Sequence, residues 1–192
     1  MDKIIKISTP LNKAALGSLR AGDTVLLSGS VFTARDAAHK RFIDLLDSGE
    51  PLPLNLDGQV LYYTGPTPAA GGRPAGSAGP TTSSRMDSYT PKLLRITGLG
   101  AMIGKGDRSA EVIETIKERG CVYFAAVGGA GALISSYIKS SKIICYEDLG
   151  PEAVYRFEVE SMRLIVAIDA QGNNLYKSGP QDYLRSMPPA QV

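Results

Sequence analysis

The chain has 192 residues, 43% of them hydrophobic and 21% charged, with 21 basic against 19 acidic side chains. That composition excludes a disordered chain, a coiled coil and a collagen-like repeat, and the near-balanced charge gives no bulk attraction to nucleic acid or membranes. One α/β domain over 1–185 is expected, large enough to bury its own core, with 186–192 a disordered tail.

Lys3 to Ser8 alternates apolar and polar residues and predicts a strand. Thr9-Pro10 then reads as an N-cap followed by Pro at the first helical position, opening a helix over 11–19. Thr24–Leu27 predicts a strand closed by Ser28-Gly29. Thr33 reads as the cap of an amphipathic helix over 34–47, with Ala38, Phe42, Leu45 and Leu46 on one face. Gln59–Tyr63 predicts the next strand.

Residues 64–84 are almost all Gly, Pro, Ala, Ser and Thr. This composition suits a flexible linker, but a long loop inside a domain-sized chain is usually functional. Arg73–Ala78 within it is expected to form an extra hairpin strand. Thr90-Pro91 opens a helix to Thr97, Ala101–Ile103 is a strand, and 108–119 form a helix. Val122–Ala126 predicts a strand, Ala130–Ile138 a helix and Lys142–Tyr146 another strand. The alternation of strand and helix here indicates parallel pairing. Val154–Glu160 and Arg163–Asp169 read as two further strands.

The chain has two cysteines and one histidine, Cys121, Cys145 and His39. Their separation fits no zinc spacing, and two thiols are too few for a self-contained iron–sulphur cluster. Both cysteines lie in apolar runs, which suits buried reduced thiols, with an inter-strand disulfide as the alternative. The N-terminal run MDKIIKISTP lacks the apolar core of a signal peptide, and no apolar run approaches 18 residues. A cytoplasmic chain is therefore expected.

Three segments place a cation beside glycine- or hydroxyl-rich backbone. In Thr33-Ala-Arg35-Asp36-Ala-Ala-His39, Arg35 falls in the first turn of a helix, where free N–H groups favour anions. The same spacing also suits a solvated face shared with Lys40 and Arg41. In Gly79-Pro-Thr81-Thr-Ser-Ser-Arg85, four hydroxyls precede an arginine, which suits a carboxylate or phosphate as well as an ordinary helix cap. Gly104-Lys105-Gly106-Asp107 follows a strand, where ligands sit in α/β sheets, though a solvated turn lysine fits too. It is no phosphate-binding P-loop, because Leu99 stands where that motif has Gly and Gly106 where it has Ser or Thr. Together the three segments suggest a small, dicarboxylic anion as ligand.

Thr33-Ala-Arg-Asp-Ala-Ala-His39, Ser77-Ala-Gly-Pro-Thr-Thr-Ser-Ser-Arg-Met-Asp87 with Tyr89-Thr-Pro91, and Ile103-Gly-Lys-Gly106 resemble the beta subunit of the two-subunit iron–sulphur hydro-lyases, as do Tyr123-Phe-Ala-Ala-Val-Gly-Gly-Ala-Gly-Ala132, Asp148-Leu-Gly-Pro-Glu-Ala153 and Leu164-Ile-Val-Ala-Ile-Asp169 with Gly172-Asn173. That family contains class I fumarate hydratases and L(+)-tartrate dehydratases. The resemblance covers roughly residues 3–176. It implies a swivelling β/β/α domain with a mixed, partly parallel central sheet flanked by helices. It also implies a separate alpha subunit that holds a 4Fe-4S cluster with one open iron, and a dicarboxylate site between the subunits. The implied assembly is a hetero-oligomer, with a homodimer as the alternative for the isolated chain. Carried over by motif, Arg35, Arg85 and Lys105 would hold the substrate carboxylates and Thr81 would act as base. Asp36 and His39 match the motif as supporting residues without an assigned step. No metal ligand is expected in this chain. Thr67–Gly76 departs from the charged turn usual in the family. Phe32-Thr33-Ala34 and Met86-Asp87-Ser88-Tyr89 look more like fumarase than tartrate dehydratase.

Overall fold

A computed structural model describes residues 4–69, 71–127 and 129–186. In chain order its elements are β1 (Ile4–Ser8), α1 (Lys13–Ser18), β2 (Thr24–Thr33), α2 (Asp36–Ser48), β3 (Val60–Tyr62), α3 (Thr90–Thr97) and β4 (Ala101–Gly104). They continue with α4 (Ala110–Arg119), β5 (Val122–Ala125), α5 (Gly131–Ser135), β6 (Ile138–Cys145), β7 (Val154–Ile168) and α6 (Leu175–Ser186). Two 3₁₀ segments, Ser83–Met86 and Glu147–Glu152, lie in the loops.

The strands form one mixed sheet, in the order β1-β2-β3-β4-β5-β7-β6, with β7 also paired to β2. β1 to β5 are parallel along their shared edges, and β7 runs antiparallel to β2, β5 and β6. β2 lies along one edge of β7 while β6 and β5 lie along the other, so β2, β3, β4, β5 and β7 make a closed circuit. Alternate residues of β3, β4 and β5 feed two different cores. Val60, Tyr62, Ala101, Ile103, Val122 and Phe124 join one with α1 and β7. Leu61, Tyr63, Met102 and Tyr123 join the other, under α2, α3 and α4. Burial on both faces is what parallel strands require.

Several boundaries differ from the sequence reading, each because a long-range partner overrides a local signal. Thr9-Pro10 does not cap α1. Thr9 N–H donates to Ser28 O (3.0 Å), and Asn12 Oδ1 caps the helix by accepting from Ala15 N–H (2.8 Å). β2 does not stop at Ser28-Gly29. It passes through a register shift there, Gly29 at φ 103°, because β7 pairs with it on both sides of the shift. Thr33 is the last residue of β2 and no cap, since its Oγ1 accepts from Tyr155 N–H (3.0 Å) and donates to Ala153 O (3.4 Å). Residues 73–78 form no strand, although Thr67 N–H donates to Ser77 O and Gly76 N–H to Thr67 O. The helix expected over 130–138 ends at Ser135, because Ile138 opens β6 opposite Val159.

The two expected C-terminal strands are one. β7 continues through Ser161 at φ 51°, held by β2 along both halves. α6 forms where the sequence predicts no helix, because Gly179 and Pro180 disguise its periodicity. Of the expected tail, Ser186 closes α6 and 187–192 lie outside the described residues. Among the described residues no helix is long and apolar enough to cross a membrane.

Candidate functional site

The carboxyl ends of parallel strands are where an α/β sheet collects its ligand-binding loops. Here Arg35, the segment containing Thr81 and Arg85, and Lys105 lie at the same end of the parallel strands β2, β3 and β4.

Arg35 is the N-cap residue of α2, with extended backbone and no side-chain cap of its own. Ala34 N–H donates to Tyr62 O (3.1 Å), which fixes the chain as it leaves β2. The free amide of Ala37 is capped from outside the helix by Glu152 Oε2 (3.0 Å), and the other oxygen of Glu152 pairs with Arg35 Nη2 at 3.4 Å. Arg35 Nε is buried without a partner. Asp36 Oδ1 accepts from Arg85 Nε at 2.9 Å, joining the first and second motifs.

His39 lies one turn on, fully buried. Its ring centroid is 5.3 Å from that of Tyr63, edge-on, and 6.1 Å from that of Tyr89, stacked. Nδ1 donates to Arg35 O (2.9 Å), and Nε2 has no partner. Burial lowers its pKa from 6.5 to about 4, so the ring is neutral and acts as packing and support behind Arg35. The open reading of His39 as a face residue beside Lys40 and Arg41 is thereby settled against.

The glycine- and proline-rich segment is pinned to the end of β3 rather than loose. Tyr62 OH donates to Ala78 O (2.5 Å), Thr64 Oγ1 to Gly79 O (2.8 Å), and Thr81 N–H to Tyr63 O (2.7 Å). The next residues pair with the end of β4. Thr82 and Lys105 form a parallel bridge, and Ser83 N–H donates to Lys105 O (2.9 Å). Lys105 N–H donates to Ser83 Oγ (3.1 Å). Ser83 Oγ in turn meets Tyr123 OH (2.8 Å), which donates to Gly106 O (3.0 Å). This contact needs Gly104. A Cβ there would collide with Ser83 Oγ and press on Tyr63 at 3.1 Å.

Lys105 also borders a cavity of about 310 Å³ with Ala126, Val127, Ile165, Leu175 and Tyr176. Arg35, Thr81 and Arg85 do not border it. Gly106 N–H donates to Tyr176 OH (3.0 Å), so α6 closes one wall. Beneath the patch, Arg108 is fully buried. Its Nε donates to Asp87 Oδ1 (2.7 Å), its Nη2 donates to Thr90 Oγ1 (2.9 Å), and its guanidinium faces the rings of Tyr63 and Tyr123.

The structure therefore connects all four predicted substrate residues through neighbouring backbone and the Asp36–Arg85 pair. Arg35 pairs with Glu152 and Arg85 with Asp36, while backbone contacts tie Thr81 to the end of β3 and its neighbours Thr82 and Ser83 to Lys105. Such an arrangement suits a small anion with more than one carboxylate. Sequence reasoning assigned no role to Glu152, Gly104, Ser83, Asp87 or Arg108. Glu152 and Asp87 lay inside matched motifs, but neither had local spacing that linked it to Arg35 or Arg108.

The cysteines do not form a metal site. Cys121 is buried, with its Sγ donating to Leu99 O (3.1 Å), and burial pushes its thiol up to about 12. Cys145 is half-buried and pushed up to about 11. Both are free thiols. Among the described residues, no group of three or more His, Cys, Asp or Glu is placed to hold a metal ion. Two separate thiols offer too few ligands for a 4Fe-4S cluster, so the described residues do not fit one.

The family model described as "Fumarase C-terminus" matches residues 1–179. The chain belongs to this fumarase C-terminal family. It is 38% identical over 172 residues to a Methanocaldococcus jannaschii protein named "Putative L(+)-tartrate dehydratase subunit beta", covering 87% of this chain and 88% of that one. It is 34% identical to Fumarate hydratase 2 of Leishmania major, covering 90% of this chain and 31% of the relative. With the anaerobic class I fumarate hydratase of Escherichia coli K12 it shares 32% identity, covering 90% of this chain and 32% of the relative. The chain thus spans about a third of the length of these two fumarate hydratases and most of the length of the M. jannaschii relative.

Proposed function

We propose that this chain is the beta subunit of a class I fumarate hydratase, a hydro-lyase that interconverts fumarate and (S)-malate in complex with an alpha subunit. The observation that supports the reading is that the loops carrying Arg35, Thr81, Arg85 and Lys105 all leave the carboxyl ends of the parallel strands β2, β3 and β4, in a chain of the fumarase C-terminal family. On this reading the 4Fe-4S cluster belongs to the alpha subunit, and the assembly is a hetero-oligomer of the cytoplasm, where the free thiols stay reduced.

The roles follow from the chemistry of each group. Arg35 and Arg85 offer planar forks to the two carboxylates of the substrate, and Lys105 adds a compact charge. Thr81, as its alkoxide, takes the proton from the carbon beside a carboxylate; the C–H electron pair forms the double bond, and the C–O bond on the neighbouring carbon breaks with release of hydroxide. That carboxylate gathers negative charge in the transition state, and fixed cations stabilise it without reorganising. A threonine hydroxyl is a poor base in water, so its activation depends on the same cations favouring the alkoxide.

A second reading, the beta subunit of an L(+)-tartrate dehydratase forming oxaloacetate, is favoured by the match over 88% of the M. jannaschii relative. A dicarboxylate-binding domain without catalysis is the third. Anaerobic co-expression with a candidate alpha subunit, followed by assays on (S)-malate and L-tartrate, separates them. Turnover of malate by the complex supports the fumarase reading. Turnover of tartrate alone replaces it with the second, and binding without turnover replaces it with the third.

A further inference from the structure

We infer that Glu152 is a positioning residue that sets the direction of the Arg35 side chain. The inference rests on the reading of Arg35 as a substrate-carboxylate ligand.

The carboxylate of Glu152 is divided between two tasks. Oε2 accepts from the Ala37 amide (3.0 Å), and Oε1 pairs with Arg35 Nη2 (3.4 Å). Arg35 heads a helix whose own cap position offers no side-chain acceptor, so the first turn of α2 takes its acceptor from the 3₁₀ segment Glu147–Glu152. One rigid, planar group thus ties the backbone of α2 and the tip of the arginine to the same point. Glu152 is itself anchored, since Ala153 N–H donates to Gly150 O (2.9 Å) and Ala153 O accepts from Thr33 Oγ1.

The opposite wall is Gly65. A Cβ there would lie 3.2 Å from Arg35 Cδ and Nη1 and 2.7 Å from Pro151 O. The arginine therefore runs between the Gly65 backbone and the Glu152 carboxylate. Glu152 and Arg35 are both only about a quarter exposed, at 26% and 25%. Their pair is screened less than a surface pair, and a long side chain that could sample many rotamers is confined. Its Nε is buried without a partner, so the guanidinium keeps unused donor capacity at the fixed end.

Glu152→Gln and Glu152→Ala separate positioning from fold maintenance. Glutamine keeps an acceptor for Ala37 N–H and loses the charge that holds Arg35. In the alpha–beta complex, Glu152→Gln should keep the thermal midpoint of the wild type and lower kcat/KM for the preferred acid by about tenfold to a hundredfold, the range a misplacement near 1 Å produces. Arg35→Ala should lower it at least as far, and Glu152→Gln should add nothing in the Arg35→Ala background. On the chain alone, nitrogen relaxation of the Arg35 side chain should show an ordered guanidinium in the wild type and a mobile one in Glu152→Gln.

A normal rate and an ordered Arg35 in Glu152→Gln would overturn the inference while leaving the substrate reading intact. Losses that multiply in the double variant would overturn it too, because Glu152 would then act by another route. An unchanged rate in Arg35→Ala would overturn both.

Discussion

His39 makes the stability of this chain depend on pH in a way that one substitution removes. The ring is fully buried between Tyr63, Tyr89 and Phe42. Burial is the main cause of its lowered pKa. The hydrogen bond to Arg35 opposes that effect, the Arg108 charge reinforces it, and Asp36 opposes it. The folded ring titrates near 4 and an unfolded one near 6.5. Between those values the unfolded chain binds the extra proton, so stability falls as the pH drops and is fully present only above 6.5. Going from about pH 7.5 to about pH 5, the linkage relation gives a loss of about 2 kcal/mol from this one group, roughly a 30-fold change in the folded-to-unfolded ratio. Carboxylates add their own slope, but they are common to the wild type and a His39→Phe variant. Arg35 O also accepts from His39 N–H, so the phenylalanine leaves no carbonyl unpaired. Urea titrations of both chains at the two pH values should show the wild type losing about 2 kcal/mol more than the variant. Parallel losses would refute the buried neutral histidine. His39→Gln provides a second comparison should phenylalanine overpack.

Three further outcomes follow from the packing of buried groups. Gly104→Ala should displace Ser83, cost about 1–3 kcal/mol by overpacking, and slow turnover by shifting Lys105; full stability by denaturant titration would contradict that packing. Arg108→Met should destabilise by about 3–5 kcal/mol, because it leaves Asp87 with a charge no longer paired in a largely buried place; a loss under 1 kcal/mol would show the pair to be dispensable. Iodoacetamide should label Cys121 and Cys145 slowly at pH 7.5 in the folded chain and rapidly in urea, since burial raises both thiols; fast labelling of native Cys121 would place it outside the core.

Much of the fold was legible because the parallel half is built from local units. β3, α3, β4, α4 and β5 each carry their own periodicity and turn signals, and all fall within a few residues of expectation. The errors gather where β7 acts. Its pairing with β2 carries that strand through Gly29, draws Thr33 into a ladder, and keeps Val154–Ile168 continuous through Ser161. No local window contains that pairing. The candidate site followed the same division. Arg35, Thr81, Arg85 and Lys105 stand beside glycines and hydroxyls that announce a binding loop. The groups that hold them do not, because Glu152 is separated from Arg35 by most of the chain and Gly104 matters only through Ser83.

The central claim is that these residues form half of a shared dicarboxylate site, and Arg85→Ala tests it most directly. Arg85 is half exposed and its pair with Asp36 is a surface pair, so its removal should change stability by less than about 1 kcal/mol. Loss of a charged donor to a developing carboxylate charge should lower turnover by about 10²–10³. The measurement is the rate of fumarate formation from (S)-malate by the alpha–beta complex, wild type against variant, with thermal midpoints taken in parallel. A folded, assembled variant that has lost its turnover is the predicted result. A folded variant turning over at the wild-type rate would contradict the site.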